Sequence, residues 1–301
     1  MPELPEVETI AADLRPHLVG RTFVRCELGF PTIVRHPEPE VFIDSIVGQQ
    51  ITAVGRRGKY ILIHLADDLL LVVHLGMSGQ LRLVEPATPL ANHTHAVFTL
   101  SGVEDTPPSP AFVLMGPPRR GRGAPERGRA MELRYRDPRR FGRLLLGTEA
   151  SLRAAKAMPP LGPEPIDPAF GADDMYQRFR RRRTSLKAIL LDQSTIAGVG
   201  NIYADESLHR ARLRPDRIAG SLSKKSLRRL HEALRESLLI AIKNRGSSVD
   251  TYRDAWGEFG AQQEQLQVYG RAGEPCFTCG RPLSLVRIAG RSSVFCRHCQ
   301  R

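Results

Sequence analysis

Four cysteines and one proline are the residues of this chain whose types and spacing most directly imply chemistry. Cys276 and Cys279 form one Cys-x-x-Cys pair, Cys296 and Cys299 form a second, and 16 residues separate the pairs. Each pair offers two thiolates to one tetrahedral ion, for which Zn–S bonds of about 2.3 Å are usual. The spacing points to one structural Zn2+, because four protein ligands leave no open position for a substrate. Two disulfides are the alternative state of the same cysteines. Cys26 stands apart in a strand-like stretch and reads as a small buried apolar residue.

Pro2 becomes a secondary amine at the start of the chain once Met1 is removed. An α-amine, with a reference pKa of about 8, is partly neutral at physiological pH and attacks carbon. Condensed with an aldehyde carbon it gives a charged iminium, an electron sink that acidifies the neighbouring C–H. Glu3 beside it can donate or accept a proton. The other reading of the same residues is an ordinary helix start, with Glu3 and Glu6 as acids at its positive end.

Basic residues form two clusters. Ten arginines and three acids lie between Arg119 and Arg143, and Arg180 to Arg183 is an unbroken run. A single run of this kind is usually a solvated face. Two runs, a zinc hairpin with Arg291 between its metal knuckles, and a net charge of +12 together favour a nucleic-acid partner. The stretch Ile196-Ala-Gly-Val-Gly-Asn201 places two glycines between apolar helical segments. Such a turn lets backbone approach a phosphate closely, although a plain interhelical loop has the same composition.

These residues need elements to position them. Val7, Ile10, Ala11, Leu14 and Leu18 mark one helical face, with Pro5 in the first turn and Gly20 at the end. Period-two patterns at 51–54, 60–65, 69–75, 80–84, 97–100, 131–135 and 143–146 predict short strands, hence an antiparallel sandwich. Residues 103–130 hold six prolines and four glycines and read as a loosely held loop between two strands. Helices are expected at 151–157, 173–179, 185–193, 203–209 and 224–243, the last capped by Ser223. The resulting α+β division is a sandwich domain over 1–150, a proline-rich linker over 151–168, a helical domain over 169–264, and a cysteine-bearing β-hairpin over 265–301. With no apolar run of about 18 residues and no secretory start, the expectation is a soluble intracellular protein.

Seven motifs occur in one order: Met1-Pro-Glu-Leu-Pro-Glu-Val-Glu-Thr9, Gly58-Lys59-Tyr60, His74-Leu-Gly-Met-Ser-Gly79, Asp137-Pro-Arg-Arg-Phe-Gly142, Gly198-Val-Gly-Asn-Ile-Tyr-Ala204, Val268-Tyr-Gly-Arg271 and the cysteine pairs. In this order they resemble bacterial formamidopyrimidine-DNA glycosylases over the whole chain except 103–130. Endonuclease VIII resembles the same fold but usually opens Pro-Glu-Gly-Pro-Glu, so Leu4 favours the formamidopyrimidine branch.

The resemblance implies an N-terminal β-sandwich with a flanking helix, a helix–two-turn–helix domain and a zinc finger, with damaged duplex DNA in the cleft of a monomer. It implies excision of oxidised purines by a bifunctional glycosylase and AP lyase of the bacterial cytoplasm, working through a Pro2 Schiff base and β,δ-elimination. Glu3 matches the general acid, Glu6 a second acid that stabilises the site, Lys59 a catalytic lysine, and Arg291 the zinc-finger arginine on phosphate. His93, Arg183 and Asn201 match phosphate-binding positions, and Lys187 is grouped with them as DNA-binding. Met77, Arg139 and Phe141 match the trio that fills the space left by an extruded base; composition alone would put Met77 and Phe141 in the core. Residues 247–263 match the lid over that base, but Gly260-Ala-Gln-Gln263 stands where many relatives carry Gly-x-Phe-Gln. A zinc protein that binds damage without cutting it, and an endonuclease VIII-type enzyme for oxidised pyrimidines, are the competing functions.

Overall fold

The computed structural model describes residues 1–102 and 129–301. The loop expected at 103–130 therefore lies, but for its last two residues, outside the described residues. The chain divides into one unit of Met1–Pro159 with Arg245–Ala261, and another of Pro160–Asn244 with Gln262–Arg301.

The first unit opens with helix α1, Leu4–Leu18, whose Leu4, Val7, Ile10, Ala11, Leu14 and Leu18 are fully buried. Strands β1 (Phe23–Leu28) and β2 (Val34–His36) follow, then helix α2 (Pro39–Ile46). The strands β3 (Ile51–Arg57), β4 (Tyr60–Leu65), β5 (Leu69–His74), β6 (Gln80–Val84), β7 (Thr94–Leu100), β8 (Met131–Arg136) and β9 (Arg143–Thr148) lead to the short helix α3 (Glu149–Ala154). They form a four-stranded sheet, β1-β7-β8-β6, and a five-stranded sheet, β2-β9-β5-β4-β3. Phe23, Phe98 and Leu133 from one sheet share a core with Ile61, Leu71, Val73 and Leu144 from the other. This is the packing of two inner faces across a sandwich. The expected antiparallel pairing holds except between β2 and β9, which run parallel.

Two features fix the edges of this unit. Buried Arg21 donates to the carbonyls of His17, Ser101 and Arg129 at 2.7, 2.5 and 2.7 Å, tying the end of β7 and the approach to β8 to the end of α1. Residues 245–261 return to the sandwich: Tyr252, Ala255 and Trp256 join its core, and Leu83 N–H donates to the Ala255 carbonyl at 3.3 Å.

The second unit contains α4 (Ala172–Phe179), α5 (Leu186–Leu191), α6 (Asn201–Arg210) and α7 (Lys224–Lys243), then the hairpin β10 (Ser284–Ile288) and β11 (Arg291–Phe295). Leu227, Leu230, Leu234, Leu238 and Ala241 of α7 are buried as one stripe, and Ser223 Oγ accepts the Ser226 N–H at 3.2 Å as the N-cap. In the hairpin Ile288 pairs with Arg291. The two turn residues between them, Ala289 and Gly290, have φ of +48° and +74°. Two left-handed residues in a two-residue turn match the right-handed twist of the strands and leave Arg291 exposed at the tip.

Candidate functional site

The N-terminus of α1 is built by reciprocal capping. The Glu3 side chain accepts from the Glu6 backbone amide, and Glu6 Oε2 accepts the Glu3 N–H at 2.8 Å. Pro2 is buried, and Glu3 and Glu6 are 2% and 1% exposed. A second bond, Ser247 N–H to Glu6 Oε1 at 2.7 Å, uses the other oxygen of Glu6. Glu6 therefore serves as a bracket between two backbone amides, and Glu3 follows Pro2 in the chain.

Lys59 follows Gly58 in the two-residue turn between β3 and β4, where Gly58 has φ +58°. This turn is tied to α1. Arg56 donates to Glu8 at 2.7 Å and to the Gly58 carbonyl at 3.1 Å. Lys59 itself is buried. Near it lies His74, whose ring packs at a tilt against Tyr60 with ring centres 4.8 Å apart and whose Nδ1 accepts the Gly76 N–H at 3.2 Å. Burial first, then the charges of Arg143 and Lys59, lowers the His74 pKa from 6.5 to about 4. Its imidazole is neutral, as an acceptor at Nδ1 requires. The sequence reading did not single out His74, although it opens one of the motifs.

Asp137 organises the loop that follows β8. Its buried carboxylate accepts from the Ser78 hydroxyl, the Arg139 N–H at 3.2 Å and the Gly142 N–H at 2.8 Å, while its carbonyl pairs with His95 Nε2 at 2.8 Å. Ser78 belongs to the turn that carries Met77, so one acid joins both loops. A Cβ on Gly76 would come within 2.5 Å of the Phe141 backbone, which shows how tightly these loops pass. The result is presentation outward. Phe141 is 56% exposed with the Arg139 guanidinium 5.0 Å from its ring centre, and Met77 is half-buried. Phe141 is thus not a core residue. His93 is exposed, with φ +66°, and its carbonyl accepts the Asp137 N–H at 3.0 Å.

In the second unit Gln193 shapes the turn before α6: its Nε2 donates to the Leu191 and Val199 carbonyls at 2.9 and 2.8 Å, and its Oε1 accepts the Gly198 N–H at 2.9 Å. Asn201 begins α6, and its Oδ1 is buried without a hydrogen-bond partner among the described residues. Arg183 is exposed at the end of its basic run. Lys187, grouped above with the DNA-binding residues, needs correction. Its side chain is 0% exposed, and the ammonium donates to the Asn201 carbonyl at 2.9 Å and to Asp205 Oδ1 at 2.6 Å. A side chain so enclosed cannot reach a phosphate; it holds Asn201 in place.

Two acids of α6 seat the hairpin. Asp205 accepts from the Ser293 hydroxyl and from the Val294 N–H at 3.1 Å. Glu206 accepts three consecutive N–H groups, from Gln267, Val268 and Tyr269, each at 2.9 Å. Arg291 is therefore carried by a hairpin clamped at both its lead-in and its second strand. Gln262 is buried and its Oε1 accepts from Asn244 Nδ2 at 2.9 Å.

The four cysteines of the two pairs bring their sulfurs within 4.8 Å of one another. The Cys276–Cys299 and Cys279–Cys296 sulfurs lie 4.0 and 3.5 Å apart, and all four cysteines are free thiols. Tetrahedral Zn–S bonds of about 2.3 Å put sulfurs about 3.8 Å apart, so the cluster fits one zinc ion and not two disulfides. His209 Nε2 is 3.8 Å from the Cys276 sulfur and supports that side of the cluster from α6.

Residues 1–144 match the family model of the formamidopyrimidine-DNA glycosylase N-terminal domain, 161–253 that of the formamidopyrimidine-DNA glycosylase H2TH domain, and 273–301 that of a zinc finger found in FPG and IleRS. The chain is 41% identical over 302 residues to a formamidopyrimidine-DNA glycosylase of Desulforamulus reducens, covering 100% of this chain and 99% of that one. A Lactococcus lactis FPG variant in complex with Fapy-dG-containing DNA aligns over 100% of both chains with TM-score 0.84 and 32% identity. The wild-type Lactococcus lactis Fpg in complex with DNA containing an oxidised pyrimidine aligns over 100% of both chains with TM-score 0.83 and 31% identity.

Proposed function

This chain belongs to the formamidopyrimidine-DNA glycosylase family, and from that premise we propose how its own residues act. It is a base-excision repair DNA glycosylase with a structural zinc finger. Its substrate is damaged duplex DNA, with oxidised purines such as 8-oxoguanine and formamidopyrimidines as the preferred lesions. Acting on a base requires extruding it from the stack, at a cost of a few kcal/mol. Met77, Arg139 and Phe141 fill the space, Phe141 and Met77 as apolar wedges and Arg139 toward the orphaned base. Residues 247–263 cover the extruded base. His93, Arg183, Asn201 and Arg291 hold phosphates. The protein works as a monomer in the bacterial cytoplasm, associated with the nucleoid through DNA.

The Pro2 nitrogen attacks C1′ of the damaged nucleotide as the bond from C1′ to the base breaks. Glu3 supplies the proton that assists base loss and opening of the sugar, leaving a protonated Schiff base between Pro2 and C1′. That cation withdraws electrons, so a C2′ proton is lost and the 3′ phosphate leaves; a second elimination releases the 5′ phosphate. Lys59 acts at the lesion sugar and phosphate, and Arg291 assists the second elimination. The zinc ion, held by Cys276, Cys279, Cys296 and Cys299, supplies folding energy to the hairpin that carries Arg291.

The observation that carries this reading is the Pro2 nitrogen at a helix start whose two acids, Glu3 and Glu6, are buried and bonded to each other's backbone. A protein that only binds damage has no use for such an amine. The solved complex with an oxidised pyrimidine favours one second reading, a wider lesion range. Borohydride treatment with an 8-oxoguanine duplex and, separately, an oxidised-pyrimidine duplex tests both. The expected adduct maps to the N-terminal peptide and forms faster with the purine lesion. An adduct on Lys59, or activity that survives a residue placed before Pro2, overturns the assignment.

A further inference from the structure

Helix α1 is buried on two sides. One is the apolar face packed into the sandwich. The other is polar: Glu6, Thr9 and Asp13 are 1%, 4% and 2% exposed and follow one another at helical spacing. Buried polar groups are costly unless satisfied, and two of these three, Glu6 and Asp13, take partners from one segment. Glu6 accepts the Ser247 N–H at 2.7 Å. The buried Tyr252 hydroxyl donates to the Glu6 carbonyl at 3.5 Å, while the Thr9 hydroxyl donates to the Pro5 carbonyl at 2.9 Å within the helix. Asp13 takes both arms of the Arg245 guanidinium, at 3.1 and 2.6 Å, and the same guanidinium reaches Asp254 at 2.5 Å. Asp254 Oδ1 in turn accepts the Trp256 and Glu258 N–H groups at 3.0 and 2.9 Å.

The entry to this segment is also constrained. Arg245 and Gly246 have φ of +61° and +77°, consecutive left-handed residues immediately after α7. A Cβ on Gly246 would stand 2.9 Å from Glu6 Cγ. The corner is therefore a close approach to the polar side of α1, and a non-glycine residue at 245 adopts an unfavourable backbone conformation there. The Arg245 side chain, with two carboxylates to bind, fixes it.

We propose that the polar side of α1 is the seat of the segment over the base, and that Arg245, bound to Asp13 and Asp254, is a positioning residue for base excision. The inference rests on the reading that 247–263 covers the extruded base. One helix would then carry the Pro2 amine at its start and the mounting of the base cover along its side. Base removal needs both. Strand cleavage at a preformed abasic site, which has no base to cover, needs the amine but not the cover.

The experiment compares full-length wild type, Arg245→Met, Arg245→Lys and Asp13→Asn, each zinc-loaded. Single-turnover excision of 8-oxoguanine is measured beside strand cleavage of a preformed abasic duplex, and amide exchange is followed over 247–261. Arg245→Met should slow excision at least tenfold and leave abasic cleavage within twofold. Arg245→Lys should recover part of the loss, and exchange should rise at 247–251 and 257–261 only. Equal loss of both activities, or unchanged excision, overturns the proposal. Should Arg245→Met fail to fold, the same two ratios for Asp13→Asn and Arg245→Lys decide the matter. Wild type that excises no oxidised purine would instead overturn the functional reading beneath it.

Discussion

The Lys187 ammonium lies 2.6 Å from Asp205 Oδ1, with the two side chains 0% and 1% exposed. The pair joins the start of α6, through the Asn201 carbonyl, to the zinc-finger hairpin, through Ser293 and Val294. Removing one partner of such a pair leaves a buried charge uncompensated, which typically costs about 3–5 kcal/mol. Lys187→Met should lower unfolding stability by that order in urea titration. It should leave the salt dependence of DNA binding at its wild-type slope, because no phosphate contact is lost. A slope smaller by about 0.9 at unchanged stability would make Lys187 a phosphate ligand after all.

Zinc removal should act on the hairpin first. Its small core is Val268, Leu283 and Val294 around Cys276 and Cys296, too few apolar residues to hold a fold of this size alone. Chelation should unfold 265–301, release one zinc per chain and weaken DNA binding through loss of Arg291, while the sandwich of the first unit keeps its strands. Circular dichroism with metal analysis reads both. Full DNA affinity in zinc-free protein would contradict the assignment of Arg291.

His74 gives the protein an acid-sensitive component. Its folded pKa, about 4, lies below the ordinary 6.5. Between these values the unfolded chain binds more protons than the folded one, so this contribution is complete above pH 6.5 and is lost as pH falls toward 4. The span corresponds to at most about 3 kcal/mol. Thermal unfolding from pH 7 to 4.5 should show a shallower decline for His74→Gln than for wild type. Parallel curves would mean that the imidazole is not held neutral.

Local signals were legible in the sequence where the determinant is local. The α7 bounds, its Ser223 cap, the apolar stripe from Leu227 to Ala241 and the paired cysteines each depend on neighbours within a turn or a hairpin. The β2–β9 parallel pair and α2 were not, because a three-residue strand and an eight-residue helix with two buried apolar positions, Phe42 and Ile46, are too short to set a period. Lys187 sits in the apolar run Leu186-Lys-Ala-Ile-Leu-Leu191, and only Asp205, folded against it, shows why a lysine is there. The polar side of α1 was likewise invisible: Glu6 reads only as an acid of the helix start and the site, and Asp13 draws no reading, because residues 245–254, which fold onto them, lie some 240 positions later. The void-filling roles expected of Met77, Arg139 and Phe141 come from the family resemblance alone, and the core position that composition suggests for Phe141 does not hold, because its side chain is 56% exposed.

Arg139 separates two kinds of DNA contact. Its backbone is fixed by Asp137 and Ser78, and its guanidinium rests against exposed Phe141 at 5.0 Å. Placed toward an orphaned base, such a guanidinium forms a two-pronged contact worth roughly 1–3 kcal/mol of discrimination. Placed on a phosphate, it would add affinity to every duplex alike. Excision of 8-oxoguanine opposite C, T, G and A by wild type and Arg139→Ala distinguishes these. The variant should compress the differences among opposite bases by up to a hundredfold, while Arg183→Ala lowers the salt slope by about 0.9 and keeps the wild-type order. If Arg139→Ala retains that order and changes only the salt slope, Arg139 is a phosphate contact and the wedge consists of Met77 and Phe141 alone.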